Sequence, residues 1–234
     1  MRKRTVALGL LAGMSLSSTA HCTLIDRGGG LIYDDVLNIT WLADADLAAT
    51  ETFGVSGIIP GGSGVGGIPG GTMNWATAQY WIAAMNSDNY LGYNNWRLPK
   101  ATQPDKSCSN QGGDTFGFNC TGSEIGHLFY SDLGGTAGVS LLDKTDPDLS
   151  LFLNIVADVY WTGSEYVQNG YVWTFFMNNG YQDYYAKGNS LYVWAVRDGD
   201  VDAPNNVPES PTLALLSLGL FGLVSIRRMK AIRF

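Results

Sequence analysis

VYWTGSEY (residues 159–166), YVWTFF (171–176) and LYVWAV (191–196) are three short stretches in which aromatic and β-branched residues alternate with polar or small ones. A period of two along the chain makes strands with two distinct faces. Asn169-Gly170, Asn178-Asn179-Gly180 and Gly188-Asn189 punctuate the segment, and these residue types accept the positive φ that tight hairpin turns require. The pattern predicts an antiparallel meander of these three strands.

Upstream, Leu31-Ile32-Tyr33 and Ile39-Thr40-Trp41-Leu42 are β-prone runs joined by Asp34-Asp35-Val36-Leu37-Asn38, which reads as a hairpin. Asn74 is placed to cap a helix from Trp75 to about Met85, with Trp75, Ala78, Ile82 and Met85 on one apolar stripe. Ser123 caps a second helix through Ile125, Leu128 and Phe129, with Glu124 in its first turn and Gly134-Gly135 as its stop. The expected fold class is therefore α+β: an antiparallel β-rich domain with two helices and long loops. GVSGIIPGGSGVGGIPGG (54–71) has too few side chains to build core and reads as an insertion. Its Gly62, Gly64 and Gly67 match a dinucleotide fingerprint only by letter, because no strand-to-helix turn surrounds them.

The two ends have their own signatures. Arg2-Lys3-Arg4, an apolar run from Val6 to Leu16, and the small residues Ser17, Ser18, Thr19 and Ala20 have the order of a secretory signal. Cleavage fits after Ala20 or after Cys22, and the second is favoured, giving a signal peptide over 1–22. Residues 212–226 (TLALLSLGLFGLVSI) are apolar and uncharged, followed by Arg227, Arg228, Lys230 and Arg233. This is the composition of a C-terminal apolar helix in the inner membrane with a cytoplasmic stop, although a full span takes about 20 residues. One domain is expected over 23–200, with a linker at 201–206.

Between the two ends stand seven Lys and Arg against twenty Asp and Glu. Such a field repels phosphate backbones, which excludes nucleic acid as a partner. Cys108 and Cys120, the cysteines left after cleavage at the second point, are expected to pair as a disulfide in an oxidising compartment. No cofactor is expected. Calcium is the one ion the acidic stretches bring to mind: Asp143, Asp146 and Asp148, and again Asp198, Asp200 and Asp202, alternate as a hard cation prefers, but without an EF-hand layout. They read first as solvated turns. Gln103-Pro104-Asp105 spells a calcium-lectin tripeptide whose downstream partner motif is missing. His127 is the one histidine after the signal and has no nucleophile elbow beside it. The surface best suited to a sugar ring is the set Tyr166, Asn178, Asn179, Tyr181, Tyr184, Tyr185 and Asn189, which joins aromatic faces to amides.

Trp75-Ala76-Thr77-Ala78, Gly92-Tyr93-Asn94-Asn95-Trp96-Arg97-Leu98-Pro99, Tyr160-Trp161-Thr162-Gly163-Ser164-Glu165 and Trp194-Ala195-Val196-Arg197 follow one another in an order that resembles the Lcl C-terminal domain family. The resemblance covers most of residues 30 to 200. It implies a shape related to C-type-lectin-like and sulfatase-modifying-factor folds, in exported or surface proteins, with adhesion or glycan binding in some members. Arg97 and Arg197 are expected to form bidentate pairs with carboxylates, and Trp96, Trp161 and Trp194 to lie in the core. The tail resembles a PEP-CTERM sorting signal: Val207-Pro208-Glu209-Ser210-Pro211 precedes the apolar segment, with Ser210 where the second proline usually stands. That resemblance implies sorting over 207–234 by an exosortase-type processing enzyme in a Gram-negative cell that makes exopolysaccharide. The expectation is thus an exported protein, membrane-anchored as a precursor and then at the cell surface or in the matrix, that binds glycan or another matrix component without catalysis. The rivals are a polysaccharide hydrolase with paired carboxylates and a purely structural matrix protein.

Overall fold

The computed structural model describes residues 24–61 and 70–201. The signal segment, the Gly62 to Gly67 letters, the sorting motif and the apolar segment 212–226 lie outside the described residues. Among the described residues no helix is long and apolar enough to cross a membrane.

Two antiparallel sheets and two helices form the mixed α+β architecture. The first sheet contains β1 (Leu24–Gly28), β2 (Leu31–Asp34), β3 (Ile39–Leu42), β4 (Trp96–Arg97) and, from the far end of the chain, β8 (Val196–Asp198), in the order β1-β2-β3-β8-β4. The second contains β5 (Val159–Glu165), β6 (Tyr171–Phe176) and β7 (Tyr181–Ala186) in sequential order. The β2–β3 hairpin forms where the β-prone runs predict it. Its turn is held by Asp34 Oδ1, which accepts from the Val36 and Leu37 N–H groups at 3.0 and 2.8 Å.

The meander differs from expectation in its third strand. β7 is YQDYYA, and LYVWAV (191–196) instead leaves the meander. It runs parallel beside β5, where Tyr192 donates to Val159 O and accepts from Trp161 N–H, and then enters the first sheet as β8. The physical reason is burial. Leu191 to Val196 is buried at every position, whereas four of the six residues from Tyr181 to Ala186 on the edge strand are polar or tyrosine and only half-buried. An all-apolar run belongs between two sheets, and a mixed run belongs on an edge. The outer edge of β7 is covered by the loop that Cys108–Cys120 closes, through hydrogen bonds exchanged between Gly117 and Gln182 at 2.9 and 2.8 Å. The expected disulfide is present.

α1 (Trp75–Ser87) starts at Asn74, whose side chain accepts from Thr77 N–H at 2.9 Å, and buries Ala78, Trp81, Ile82 and Met85. At its far end Asn86 exchanges both amide hydrogen bonds with the Trp96 backbone, fixing β4 against the helix. α2 (Glu124–His127) starts at Ser123 as expected and continues as a π turn over Leu128–Asp132. Arg97 joins the two parts. Its guanidinium pairs in fork geometry with Glu124 at 2.7 and 2.8 Å and reaches Asp198 at 2.5 Å. Arg197 does not form the expected carboxylate pair. It lies over the Tyr93 ring at 4.1 Å and donates to Asn95 Oδ1 and the Asp200 carbonyl.

One core cluster runs through both sheets and α1. Trp41, Trp81, Trp161 and Trp194 are among its largest fully buried side chains, and Trp96 is also buried. Trp161 Nε1 donates to Met73 O at 2.8 Å across 88 residues of sequence. Trp161→Phe keeps an aromatic ring, removes that donor and leaves unfilled volume, so unfolding in denaturant should show a loss of about 2–4 kcal/mol. A loss under about 0.5 kcal/mol would contradict this packing account.

Candidate functional site

One cleft lies where β3 gives way to irregular chain. After Leu42 the segment Ala43–Ala45 runs parallel to Leu153, with Leu153 N–H donating to Ala43 O at 2.8 Å and Ala45 N–H to Leu153 O at 2.9 Å. This pairing sets Asn154, Ile155 and Val156 beside Asp44 and Asp46. A 3-10 turn over Leu47–Ala49 follows, and Asp46 stands at its N-cap without using its side chain as the cap. The result is a cleft of about 270 Å³ lined by Asp46, Ala49, Thr50, Gly70, Asn154, Ile155 and Val156.

Asp44 and Asp46 are two residues apart and have different tasks. Asp44 Oδ1 accepts from Asp46 N–H and from the Asn154 amide, both at 3.0 Å. Asp46 is buried, and its Oδ1 has no hydrogen-bond partner. That oxygen packs against the Gly71 α-carbon: a Cβ there would stand 2.2 Å from it, and Gly71 has a φ of +90°. Only glycine fits both conditions. Burial, with a further push from the Asp44 carboxylate, raises the Asp46 carboxyl from its ordinary 3.8 to about 7. Behind it, Tyr160 is held protonated by burial, and its oxygen accepts from Val156 N–H at 2.9 Å. At neutral pH a large share of the Asp46 carboxyls in the cleft wall therefore carries a proton. With the Asn154 amide and the Thr50 hydroxyl it offers donors and acceptors beside the apolar Ile155 and Val156.

The residues singled out in the sequence fall in several places. Tyr166 and Tyr184 come together, stacked at 4.0 Å and 8°, with Trp173 and Tyr171 edge-on to Tyr184. The Tyr166 hydroxyl donates to Asp114, a bond that pushes its own ionisation up to about 12. Strand alternation sets Tyr181 and Tyr185 on the opposite face of β7, where both meet Phe176. Asn178 and Asn179 occupy the β6–β7 turn, with Asn179 Oδ1 accepting from Tyr181 N–H, and Asn189 lies in the turn after β7. The seven residues do not form one surface. Asp143 ends a 3-10 turn over Leu141–Asp143, and Asp146 caps another over Pro147–Leu151 by accepting from Asp148 N–H at 3.0 Å. In the second acidic stretch Asp198 pairs with Arg97 and Asp200 with Arg27. Gln103 and Asp105 of the lectin-like tripeptide serve the disulfide loop: Gln103 bonds Thr115, and Asp105 accepts from Ser107 and Gly122.

Sequence reasoning passed over Asp44, Asp46, Thr50 and Asn154. The one local signal was Ala43-Asp44-Ala45-Asp46, two carboxylates in an apolar setting directly after a strand. A family model described as the Lcl C-terminal domain matches residues 30–197. No curated protein and no solved structure matches the chain.

The cleft yields a pH test. Between about pH 4 and pH 7 the folded chain keeps on Asp46 a proton that the unfolded chain releases, so this group's contribution to stability is lost as pH rises through that window. The stability of Asp46→Asn relative to the parent should rise from pH 4 to pH 7 and level off above it, measured by denaturant unfolding at each pH. A difference that is flat across the window would contradict the burial assigned to this carboxyl.

Proposed function

The chain belongs to the Lcl C-terminal domain family, and from that premise we propose that it is an exported, non-catalytic binding protein that holds a neutral glycan or a similar polyhydroxylated matrix component in the Asp46 cleft. One observation carries the reading: a cleft whose wall sets a carboxyl that holds a proton up to near neutral pH, an amide and a hydroxyl around an apolar patch. Sugar hydroxyls are uncharged and bidentate, each able to donate and accept, and such a wall matches them without the desolvation cost of a bare charge. The acidic chain around it disfavours polyanions and leaves neutral polymers as the better fit. A relation to C-type-lectin-like and sulfatase-modifying-factor folds belongs to the same proposal.

Export rests on the signal over residues 1–22. The tail over 207–234 supports sorting by an exosortase-type enzyme, with the precursor held in the inner membrane through 212–226 before release to the surface or exopolysaccharide of a Gram-negative cell. One feature favours the rival hydrolase: a carboxyl that retains its proton near neutrality is what a general acid needs. Glycoside hydrolysis also requires a second carboxylate about 5 to 9.5 Å away across the substrate. Asp44 is bonded through Oδ1 to the Asp46 backbone and to Asn154 on the same wall, which disfavours that role.

The test is binding of the protein to exopolysaccharide from the producing cell, with reducing ends monitored throughout. Saturable binding without reducing-end release is expected, weakened about tenfold or more in Asn154→Ala and in Asp46→Ala. Release of reducing ends that is abolished in Asp46→Ala would replace binding by hydrolysis, and unchanged affinity in both variants would remove the cleft from the account.

A further inference from the structure

Asp34, His127 and Asp132 come from three separate points of the fold and meet in the interior. Asp34 ends β2, His127 ends α2, and Asp132 closes the π turn. One ligand atom from each lies within 4.8 Å of the others, and His127 Nε2 is 3.5 Å from Asp132 Oδ1. The π turn makes this meeting: Leu133 N–H donates to Leu128 O at 3.0 Å, a bond to the fifth residue back. In an α-helix of 3.6 residues per turn, positions five apart diverge by about 140°, and the wider turn brings them back to one side.

Asp34 is 1 % exposed. Its Oδ1 is occupied by the Val36 and Leu37 N–H groups, and its Oδ2 is buried without a hydrogen-bond partner. Burial pushes the Asp34 carboxyl above its ordinary range, against the pull of its backbone hydrogen bonds, of His127 and of the Trp41 indole N–H, which closes no hydrogen bond of ordinary geometry to it. A buried carboxylate oxygen left in this way costs free energy unless a proton or a cation completes it, and a metal ion takes the place of the proton.

We propose that Asp34, His127 and Asp132 bind one divalent transition-metal ion of the zinc class, which staples the β2–β3 hairpin to α2 and its π turn. The donor set, one imidazole and two carboxylates, is what such borderline ions accept. Calcium and magnesium ask for six or more oxygens and are a poorer match. Donors about 2.0–2.1 Å from a tetrahedral ion stand about 3.4 Å from one another, close to the observed 3.5 Å. Water would take the remaining position. The site is separate from the Asp46 cleft and shares no residue with it, so it stands or falls independently of the glycan reading.

The experiment is titration of the full chain with zinc in competition with a chromophoric chelator, together with X-ray absorption of the zinc-loaded protein. One equivalent should bind, with a first shell of nitrogen and oxygen containing one imidazole and no sulfur, and with a rise in Tm. Asp34→Asn keeps the Oδ1 that holds the hairpin turn, and His127→Gln keeps a polar side chain of similar reach. Each should weaken zinc binding by at least the about tenfold to hundredfold that loss of an outer-shell partner costs, while the metal-free circular dichroism spectrum stays unchanged. Should a variant fail to fold, the absorption spectrum of the parent protein decides alone. No zinc bound, a sulfur-containing shell, a shell without imidazole, or equal affinity in folded variants would overturn the assignment.

Discussion

Indole N–H groups reaching across long stretches of sequence hold this fold together. Trp75 donates to Thr162 O, Trp81 to Glu51 O, Trp161 to Met73 O and Trp194 to Leu42 O, at 2.7 to 3.0 Å. Among the described residues the domain has two α-helices, short 3-10 and π turns, and strands of two to seven residues, so backbone carbonyls outside regular ladders must find donors in the interior. A tryptophan supplies the donor at the tip of a large apolar side chain, so the same residue fills volume and fixes the path of a distant segment. The seven tryptophans of the sequence substitute in part for the regular structure that the chain lacks.

The cleft follows from that arrangement. Trp194 binds the end of β3 through Leu42 O, and Trp81 binds Glu51 O just beyond the 3-10 turn. Between these two anchors the chain turns inward, so Asp46 is buried against Gly71 and faces the Asn154 segment. A carboxyl placed there by packing on both sides cannot move out to solvent, and its raised proton affinity is the cost of that position. Polar groups held on a rigid frame in this way have little freedom to lose in any contact with a ligand.

Features encoded by neighbouring residues were legible in the sequence. Asn74 and Ser123 cap their helices, Asp34 and the residues after it make the hairpin turn, and Cys108 joins Cys120. Features that depend on partners far along the chain were not. β7 could not be told from the Leu191 to Val196 run by alternation alone, since the choice depended on which run the rest of the protein would cover. Arg197 found a ring and two neutral oxygens where a carboxylate was expected, because Arg97 already holds both Glu124 and Asp198. The Asp46 cleft needs the pairing of Asp44 with Leu153, and the Asp34 cluster needs a π turn; neither leaves a periodic trace. The aromatic face expected from the tyrosines divides because β7 alternates, which places Tyr184 opposite Tyr181 and Tyr185.

On the proposed reading a polyhydroxylated ligand sits in the cleft at Asp46. Two-dimensional amide NMR of the labelled protein, titrated with oligosaccharides cut from the producer's own exopolysaccharide, addresses it most directly. The account predicts saturable shifts confined to Asp46, Thr50, Gly70 and Asn154 to Val156. Saturable shifts centred on Tyr166, Tyr171 and Tyr184, with the cleft unchanged, would contradict it.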